Sequence, residues 1–143
     1  MPKFEYAPAP ESRAIVTIEK SYGLFIDGVF TRPKATFPTI NPADETVLAE
    51  VSQAGPKDVD KAVAAARRAY DGVWGRMSGA ERSKYLFRIA RIIQERSREF
   101  AVLESLDNGK PIKESRDVDV PLAANHFWYY AGWADKLEYA FPN

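Results

Sequence analysis

The chain has 143 residues, with 20 Lys and Arg balanced by 20 Asp and Glu, one His and no Cys. Its hydrophobic content of 45% and charged content of 28% are typical of a globular chain that can bury a core. The absence of Cys excludes a disulfide framework, a thiolate metal site and a cysteine nucleophile. The single histidine, His126, excludes a multi-histidine zinc site within one chain.

The net charge and the hydropathy of the sequence indicate its expected cellular compartment and its expected classes of binding partner. A net charge of +0 argues against electrostatic nucleic-acid binding. The sequence has no run of about 18 apolar residues, which a membrane-spanning helix would need. Its first residues also lack the apolar region of a secretory signal. We therefore expect a cytoplasmic protein with no nucleic-acid and no membrane partner.

The chain order begins with an arm and then turns to β-structure. Prolines interrupt residues 1–20, and we predict there an arm that packs on a neighbour or is disordered. The pair Asp27-Gly28 between apolar runs predicts a β-hairpin, because both turn residues need positive φ. A second extended pair is predicted from residues 37–40 and 46–51.

Helical periodicity follows from Pro56 onward and predicts three or four helices. One of them begins at a capping box formed by Ser78 and Glu81. Another runs from about residue 98 to 107, and the last begins near Asp119. The expected apolar faces are Val59, Val63, Ala66 and Tyr70, then Tyr85, Leu86, Ile89, Ile92 and Ile93, then Phe100, Leu103 and Leu106.

Four features could carry chemistry, and for each the residues alone favour a structural role. Asp117 and Asp119 are a possible carboxylate pair, but helix capping is preferred. The basic face of the second helix could bind phosphate, but a solvated face is preferred. His126 could be catalytic, but packing is preferred, because no second catalytic partner can be named. The aromatic cluster could stack on a cofactor, but core or subunit packing is preferred; it consists of Phe127, Trp128, Tyr129, Tyr130 and Trp133.

Several segments together change this interpretation. Their order and spacing, from about Tyr22 to Lys136, resemble the N-terminal part of the aldehyde dehydrogenase superfamily. The segments are FPTINP (37–42), VLAEV (47–51), DVDKAVAAAR (58–67), Trp74 with MSGAER (77–82), LESLDNGKP (103–111) and YYAGWADK (129–136).

The resemblance implies oxidation of an aldehyde to a carboxylic acid with NAD or NADP. In that family a cysteine thiolate attacks the aldehyde, an Asn helps to hold the oxyanion, and a glutamate activates water. None of these groups, and none of the cofactor-binding residues, can be assigned in this chain. Glu104 and Asn108 match a different family segment, so we assign no catalytic residue and expect the chain alone to be inactive.

Two sets of residues carry over from the resemblance. The backbone oxygens of Thr39 and Ile40 and the carboxylate of Asp107 match ligands of a monovalent cation, Na+ or K+, and oxygen ligands suit such a hard cation. Ordinary extended chain and a helix-end polar group are the alternative. Val118 and Leu122 match positions that line the aldehyde entrance tunnel, with core packing as the alternative. Pro121 departs from many relatives there.

The fold class implied is an α/β parent with a Rossmann-type cofactor domain. In this interpretation residues 21–143 are an incomplete N-terminal part of that domain, mostly helical with short N-terminal β-hairpins. The expected partners are the remainder of the enzyme or a complementing chain, an aldehyde and further copies in a homo-oligomer. The alternatives are a non-catalytic interaction module, a split-enzyme subunit that binds through Phe127, Trp128, Tyr130 and Trp133, or a small binding protein that uses the basic face.

Overall fold

The computed structural model describes residues 12–32 and 35–141. After a short 3-10 turn, Arg13–Ile15, five strands precede six helices. The strands are β1 (Ser21–Tyr22), β2 (Phe25–Ile26), β3 (Val29–Phe30), β4 (Thr36–Ile40) and β5 (Val47–Ser52). The helices are α1 (Pro56–Ala69), α2 (Gly79–Glu95), α3 (Ser97–Asn108), α4 (Ile112–Glu114), α5 (Val120–Ala134) and α6 (Leu137–Ala140), with π-helical turns at Tyr70–Trp74 and Ser115–Asp119.

The predicted hairpin is confirmed as the antiparallel pair β2–β3. Its turn residues Asp27 and Gly28 have φ of 56° and 79°, the left-handed conformation that a two-residue hairpin requires. The second predicted pair is the antiparallel β4–β5. Strand β1 adds to β5 in parallel, which the sequence pattern did not predict, and gives a three-stranded sheet in the order β1-β5-β4.

The best-packed part of the molecule is the pair α2 and α5. Along α2, Ser83 meets Ala131 and Phe87 meets Trp128, so the two helices run antiparallel. Ala90 and Ala131 are fully buried, and these small side chains let the helix axes approach closely. The predicted capping box starts α2, where Ser78 Oγ accepts from the Glu81 backbone N–H and the Glu81 carboxylate accepts from the Ser78 N–H.

The arm prediction is tested only in part. Residues 1–11 lie outside the described residues. From residue 12 onward the segment packs on the chain's own α3, where Ile15, Val16 and Thr17 line a cleft with Phe100 and Leu103. Packing on a neighbouring molecule is therefore not needed to explain this part of the arm.

Several predicted core positions are wrong for this chain. On α3, Phe100 and Leu103 are exposed, and the buried residues are Ala101, Val102 and Leu106. The predicted face of α1 is likewise open to solvent, and on α2 only Leu86 and Ile93 of the predicted stripe are half-buried. The exposed members are Val59, Val63, Tyr70, Tyr85, Ile89 and Ile92. Among the described residues, no helix combines the length and apolar content needed to cross a bilayer.

Candidate functional site

The candidate site lies where the C-terminus of α3 meets the β4–β5 turn. The Thr39 hydroxyl donates a hydrogen bond to the Asp107 carboxylate, so two of the three residues predicted to bind a cation are neighbours, although this bond does not use the backbone oxygen of Thr39. A register shift interrupts the β4–β5 ladder between Thr39 and Ile40. Such a distortion redirects backbone groups away from regular pairing. The structure thus brings the predicted ligand segment and the predicted carboxylate together across 68 residues of sequence.

A close contact between glycine and proline fixes the end of α3 against this turn. Gly109 ends α3 with φ of 72°, a conformation that favours glycine. A Cβ added to Gly109 would lie 3.1 Å from Pro42 Cβ, which is tighter than an ordinary contact. The sequence Asn108-Gly109 predicted this helix stop, and the structure adds that a side chain here would press on Pro42.

Lys110 forms an ion-pair node beside this contact. Its Nζ lies 2.6 Å from Asp119 Oδ2 and 3.3 Å from Glu104 Oε1. The hydrogen bond to Asp119, followed by that to Glu104, raises the pKa of Lys110 above its ordinary value, so the ammonium stays charged at neutral pH. The side chains of Lys110, Glu104 and Asp119 are 30%, 37% and 34% exposed, so solvent screens these pairs only in part.

An open cleft of about 440 Å3 lies between α3 and the start of α5. Its walls are apolar, and carboxylates stand at its edge. The lining residues are Ile93, Phe100, Leu103, Glu104, Asp107, Asp119, Val120 and Ala123. Within the described residues, no group of three or more His, Cys, Asp or Glu side chains is arranged to hold a metal ion. A cation at Asp107 would therefore depend on backbone oxygens.

The predicted tunnel residues lie on the outer side of the same junction. Val118 belongs to the π-helical turn and Leu122 to the first turn of α5, and their exposed fractions are 55% and 50%. The core-packing alternative does not hold within the described chain, because both side chains face open surface. Pro121 occupies the first turn of α5, as predicted, directly after the π-helical turn.

The structure gives different surroundings to the other candidate residues, Asp117, Asp119 and His126. Asp119 occupies the cap position of α5, but its side chain makes no capping hydrogen bond and pairs with Lys110 instead. Asp117 pairs with Arg116, which lowers the pKa of the Asp117 carboxyl. His126 is exposed rather than packed, because it lies on the face of α5 turned away from α2.

The basic face follows the structural interpretation, whereas core packing of the aromatic cluster is found only in part. On α2, Arg91 pairs with Glu95 at 2.8 Å, as expected for a solvated helix face. In the aromatic cluster, Trp128 packs against Phe87 in a tilted arrangement with ring centroids 5.0 Å apart, whereas Tyr129, Tyr130 and Trp133 are exposed.

Sequence reasoning missed the node at Lys110. The ranges 103–111 and 117–119 were both singled out, but as a family segment and as helix caps. Glu104 and Lys110 are close in sequence, so a local pairing could have been anticipated. Lys110 and Asp119 lie on opposite sides of α4 in the sequence. Their pairing does not follow from the helical or strand periodicity of the residues between them.

The described residues form two small sheets and several helices, and many apolar side chains of the helices are exposed. The sequence model of the aldehyde dehydrogenase family matches residues 30–142. The chain belongs to the aldehyde dehydrogenase family, as the segment pattern predicted.

Curated relatives and solved structures agree with this assignment. The chain is 44% identical over 116 residues to aldehyde dehydrogenase family 2 member B4, mitochondrial, of Arabidopsis thaliana, which covers 80% of this chain and 21% of that protein. It is 43% identical over 122 residues to an aldehyde dehydrogenase of Alternaria alternata, covering 84% and 24%. The NAD+ complex of aldehyde dehydrogenase from Bacillus cereus superposes with a TM-score of 0.80 at 41% identity, covering 84% of this chain and 25% of that one.

The chain thus spans about a quarter of the length of the relatives that it matches. Its similarity to the solved structures confirms the predicted fold class, a mostly helical piece of an α/β fold with short N-terminal strands.

Proposed function

We propose that the chain is the N-terminal portion of an enzyme that oxidises an aldehyde to a carboxylic acid with NAD or NADP. In this reaction the aldehyde carbon loses a hydride to the dinucleotide and gains an oxygen from water. The observation that carries the proposal is the family match over residues 30–142 in a chain only about a quarter as long as its relatives. The chain's own residues would build the wall of the site, and the reacting groups would come from the remainder.

The surface of the chain supports a role as one part of a larger body. The chain exposes 11441 Å2 of solvent-accessible surface. A compact monomer of this mass, 16.1 kDa, exposes roughly 7,400 Å2. The difference, roughly 4,000 Å2, counts one side only and exceeds the roughly 800 Å2 that each partner contributes to an interface of standard size. The exposed apolar faces of α1 and α2 belong to this surface, and burying them against the remainder would complete the core.

The proposal includes a monovalent-cation site at Thr39, Ile40 and Asp107. The donor set fits Na+ or K+, because all three ligands are oxygens, and the Thr39–Asp107 hydrogen bond already holds the two segments together. A bound cation would supply positive charge beside the carboxylate and stiffen the junction of β4 with α3. We expect Na+ or K+ to raise the melting temperature of the complete enzyme more than choline at equal ionic strength, and Asp107→Asn to abolish this difference.

The proposal also assigns Val118 and Leu122 to the aldehyde entrance. Their exposure in this chain leaves both side chains available for contact with a substrate or with the remainder of the enzyme. Assembly of the enzyme into a homo-oligomer stays a prediction, which light scattering of the complete enzyme would test.

The central experiment is complementation. The purified 143-residue chain is mixed with the Bacillus cereus enzyme truncated by the quarter that this chain matches. NADH absorbance is then followed with an aldehyde. We expect neither part to turn over alone, because this chain has no Cys to act as nucleophile, and we expect the two refolded together to be active.

Two results would contradict the proposal. NADH formation by the chain alone at an enzymatic rate would show that it carries its own catalytic groups. A monomeric chain that never associates with the truncated enzyme, although both are folded, would favour the independent interaction module.

A further inference from the structure

The backbone of Lys110 is held between two conformationally restricted neighbours, Gly109 and Pro111. The preceding residue, Gly109, is held in the left-handed conformation against Pro42 of the β4–β5 turn. The following residue, Pro111, leads directly into α4. Because both neighbours are constrained, the Lys110 side chain leaves the backbone in a defined direction rather than sampling many.

From this position the Lys110 ammonium joins two helical segments. It reaches Glu104 on α3 at 3.3 Å and Asp119, the last residue of the π-helical turn, at 2.6 Å. A single exposed ion pair contributes little, but one cation shared by two carboxylates that are about two-thirds buried forms a network with fixed geometry. Removing Lys110 would leave two like charges facing each other across the cleft.

The π-helical turn presents adjacent residues in different directions. Asp119 faces Lys110, whereas Val118 projects from the turn with 55% of its surface exposed. Leu122 follows Val118 at a spacing of four residues and therefore shares its face. Ser115, which is fully buried and lies 3.5 Å from Ser105 Oγ, fixes the other end of the turn. With both ends held, the direction of Val118 depends on the pairing of Asp119.

We propose that Lys110 is a positioning residue, which holds the π-helical turn against α3 and thereby sets the direction in which Val118 and Leu122 face the incoming aldehyde. The first half of this statement concerns the chain itself, and the second half rests on the proposed function. Lys110 itself does not have to touch the substrate. Its effect therefore concerns the substituent of the aldehyde that contacts Val118 and Leu122, and not the reacting carbonyl group.

The first test is hydrogen exchange on the intact 143-residue chain. Lys110→Met removes the charge and keeps much of the side-chain length, while Lys113→Met makes the same change nearby on exposed α4. We expect amides of residues 115–120 to exchange roughly tenfold faster in Lys110→Met, with amides in the middle of α2 unchanged. Lys113→Met should leave both regions unchanged, and Lys110→Arg should restore protection because it keeps the cation. Equal exchange in both Met variants, or a uniform increase that includes α2, would overturn the proposal.

The second test uses the active complex from the complementation experiment. We expect Lys110→Met to raise KM for a bulky aromatic aldehyde about fivefold or more, to leave KM for acetaldehyde nearly unchanged and to leave kcat unchanged for both. A loss of kcat shared by both aldehydes would overturn the positioning role. If the complex is inactive, the proposed function fails, whereas the exchange experiment still decides whether Lys110 holds the turn.

Discussion

The α2–α5 pair and the region formed by α1 with the β2–β3 hairpin differ in how much of their apolar surface the described chain covers. In the pair, alanines at the contact are fully buried and a serine hydroxyl binds a carbonyl across the helices. In the other region, Ala65 is the buried residue of α1, while Val63 and Phe30 are exposed. An exposed ion pair, Arg68 with Asp27 at 3.0 Å, joins α1 to the hairpin.

The difference separates two kinds of helix within one chain. The α2–α5 pair is stabilised by contacts that the chain makes with itself. Helix α1 carries an amphipathic pattern, but the described residues leave its apolar stripe exposed. Stability of the isolated chain should therefore depend on α2 and α5, and association with the remainder should depend on α1.

The largest expected effect comes from Gly79→Ala at the start of α2. An added Cβ would overlap the carbonyl oxygen of Ala134 in α5, so the two backbones would have to separate. We expect the free energy of unfolding to fall by about 3 kcal/mol, the upper part of the range for overpacked sites. Urea denaturation of the isolated chain, followed by circular dichroism, measures this.

Gly132→Ala is the matched control for Gly79→Ala. Among residues 12–32 and 35–141, no neighbouring side chain or other element lies within 4 Å of a Cβ added there, and the site is inside α5. We expect a gain of about 0.5–1 kcal/mol from the better helix propensity of alanine. If both substitutions changed stability equally, close packing of α2 on α5 would not be what stabilises the isolated chain.

A smaller loss is expected for Ser83→Ala on the same pair. The buried Ser83 hydroxyl donates to the Ala131 carbonyl oxygen at 2.7 Å. Removing the donor leaves that carbonyl oxygen without this bond in a dry contact, which typically costs about 1–2 kcal/mol. The same urea titration would show it as a lower midpoint with an unchanged slope. An unchanged midpoint would mean that water reaches the carbonyl.

The same contrast explains how far the sequence predicts the structure. Signals carried by neighbouring residues succeeded, as in the Asp27-Gly28 turn and the capping box of Ser78 with Glu81, because their hydrogen bonds close within a few residues. Burial of Phe100 was predicted wrongly. A periodic pattern shows which face of a helix is apolar, but not whether another part of the chain packs against that face.

The candidate site also depends on contacts between residues far apart in sequence, which local signals do not predict. The predicted neighbourhood of Thr39 and Asp107 came from family resemblance, because no local rule links residues 68 positions apart. The contact of Lys110 with Asp119 was not predicted at all. It depends on how α4 and the π-helical turn fold back, and that path is set by packing around the buried Ser115 rather than by a local sequence signal.

A change in the second region should leave the isolated chain nearly unaffected. Val63 projects from α1 into solvent, so we expect Val63→Asp to change the free energy of unfolding by less than about 0.5 kcal/mol. The same change should strongly weaken association with the truncated enzyme, since it would bury an unpaired charge.

Ala64→Asp is the control for Val63→Asp, because it adds the same charge one position along α1, about a quarter-turn away. Size-exclusion chromatography of the mixtures measures both. Equal loss of binding in the two variants would argue that charge alone, and not the apolar face of α1, determines association.

The smallest expected effect concerns Asp44 in the β4–β5 turn. Its carboxylate accepts hydrogen bonds from the Thr46 hydroxyl and N–H and lies 3.4 Å from Arg13. These contacts, led by the Thr46 hydroxyl, lower the pKa of Asp44 below its ordinary value of 3.8. A group whose pKa is lower in the folded state contributes stability above the unfolded pKa and loses it as the pH falls through the folded pKa. Lys110 has the opposite sign, since its raised pKa means that its contribution is lost only as the pH rises above 10.5.

Carboxyl NMR titration of the chain should therefore give a midpoint for Asp44 below that of an unfolded Asp, and Thr46→Val should move it upward. Asp44→Asn should remove only a slight part of the acid dependence of the melting temperature, since the carboxylate is exposed and screened by water. The Thr46 bonds close within two residues, so they should form whether or not the remainder is bound. If the Asp44 midpoint were low only in the complex, the β4–β5 turn would need the partner to form its hydrogen bonds, as α1 needs it to bury its apolar face.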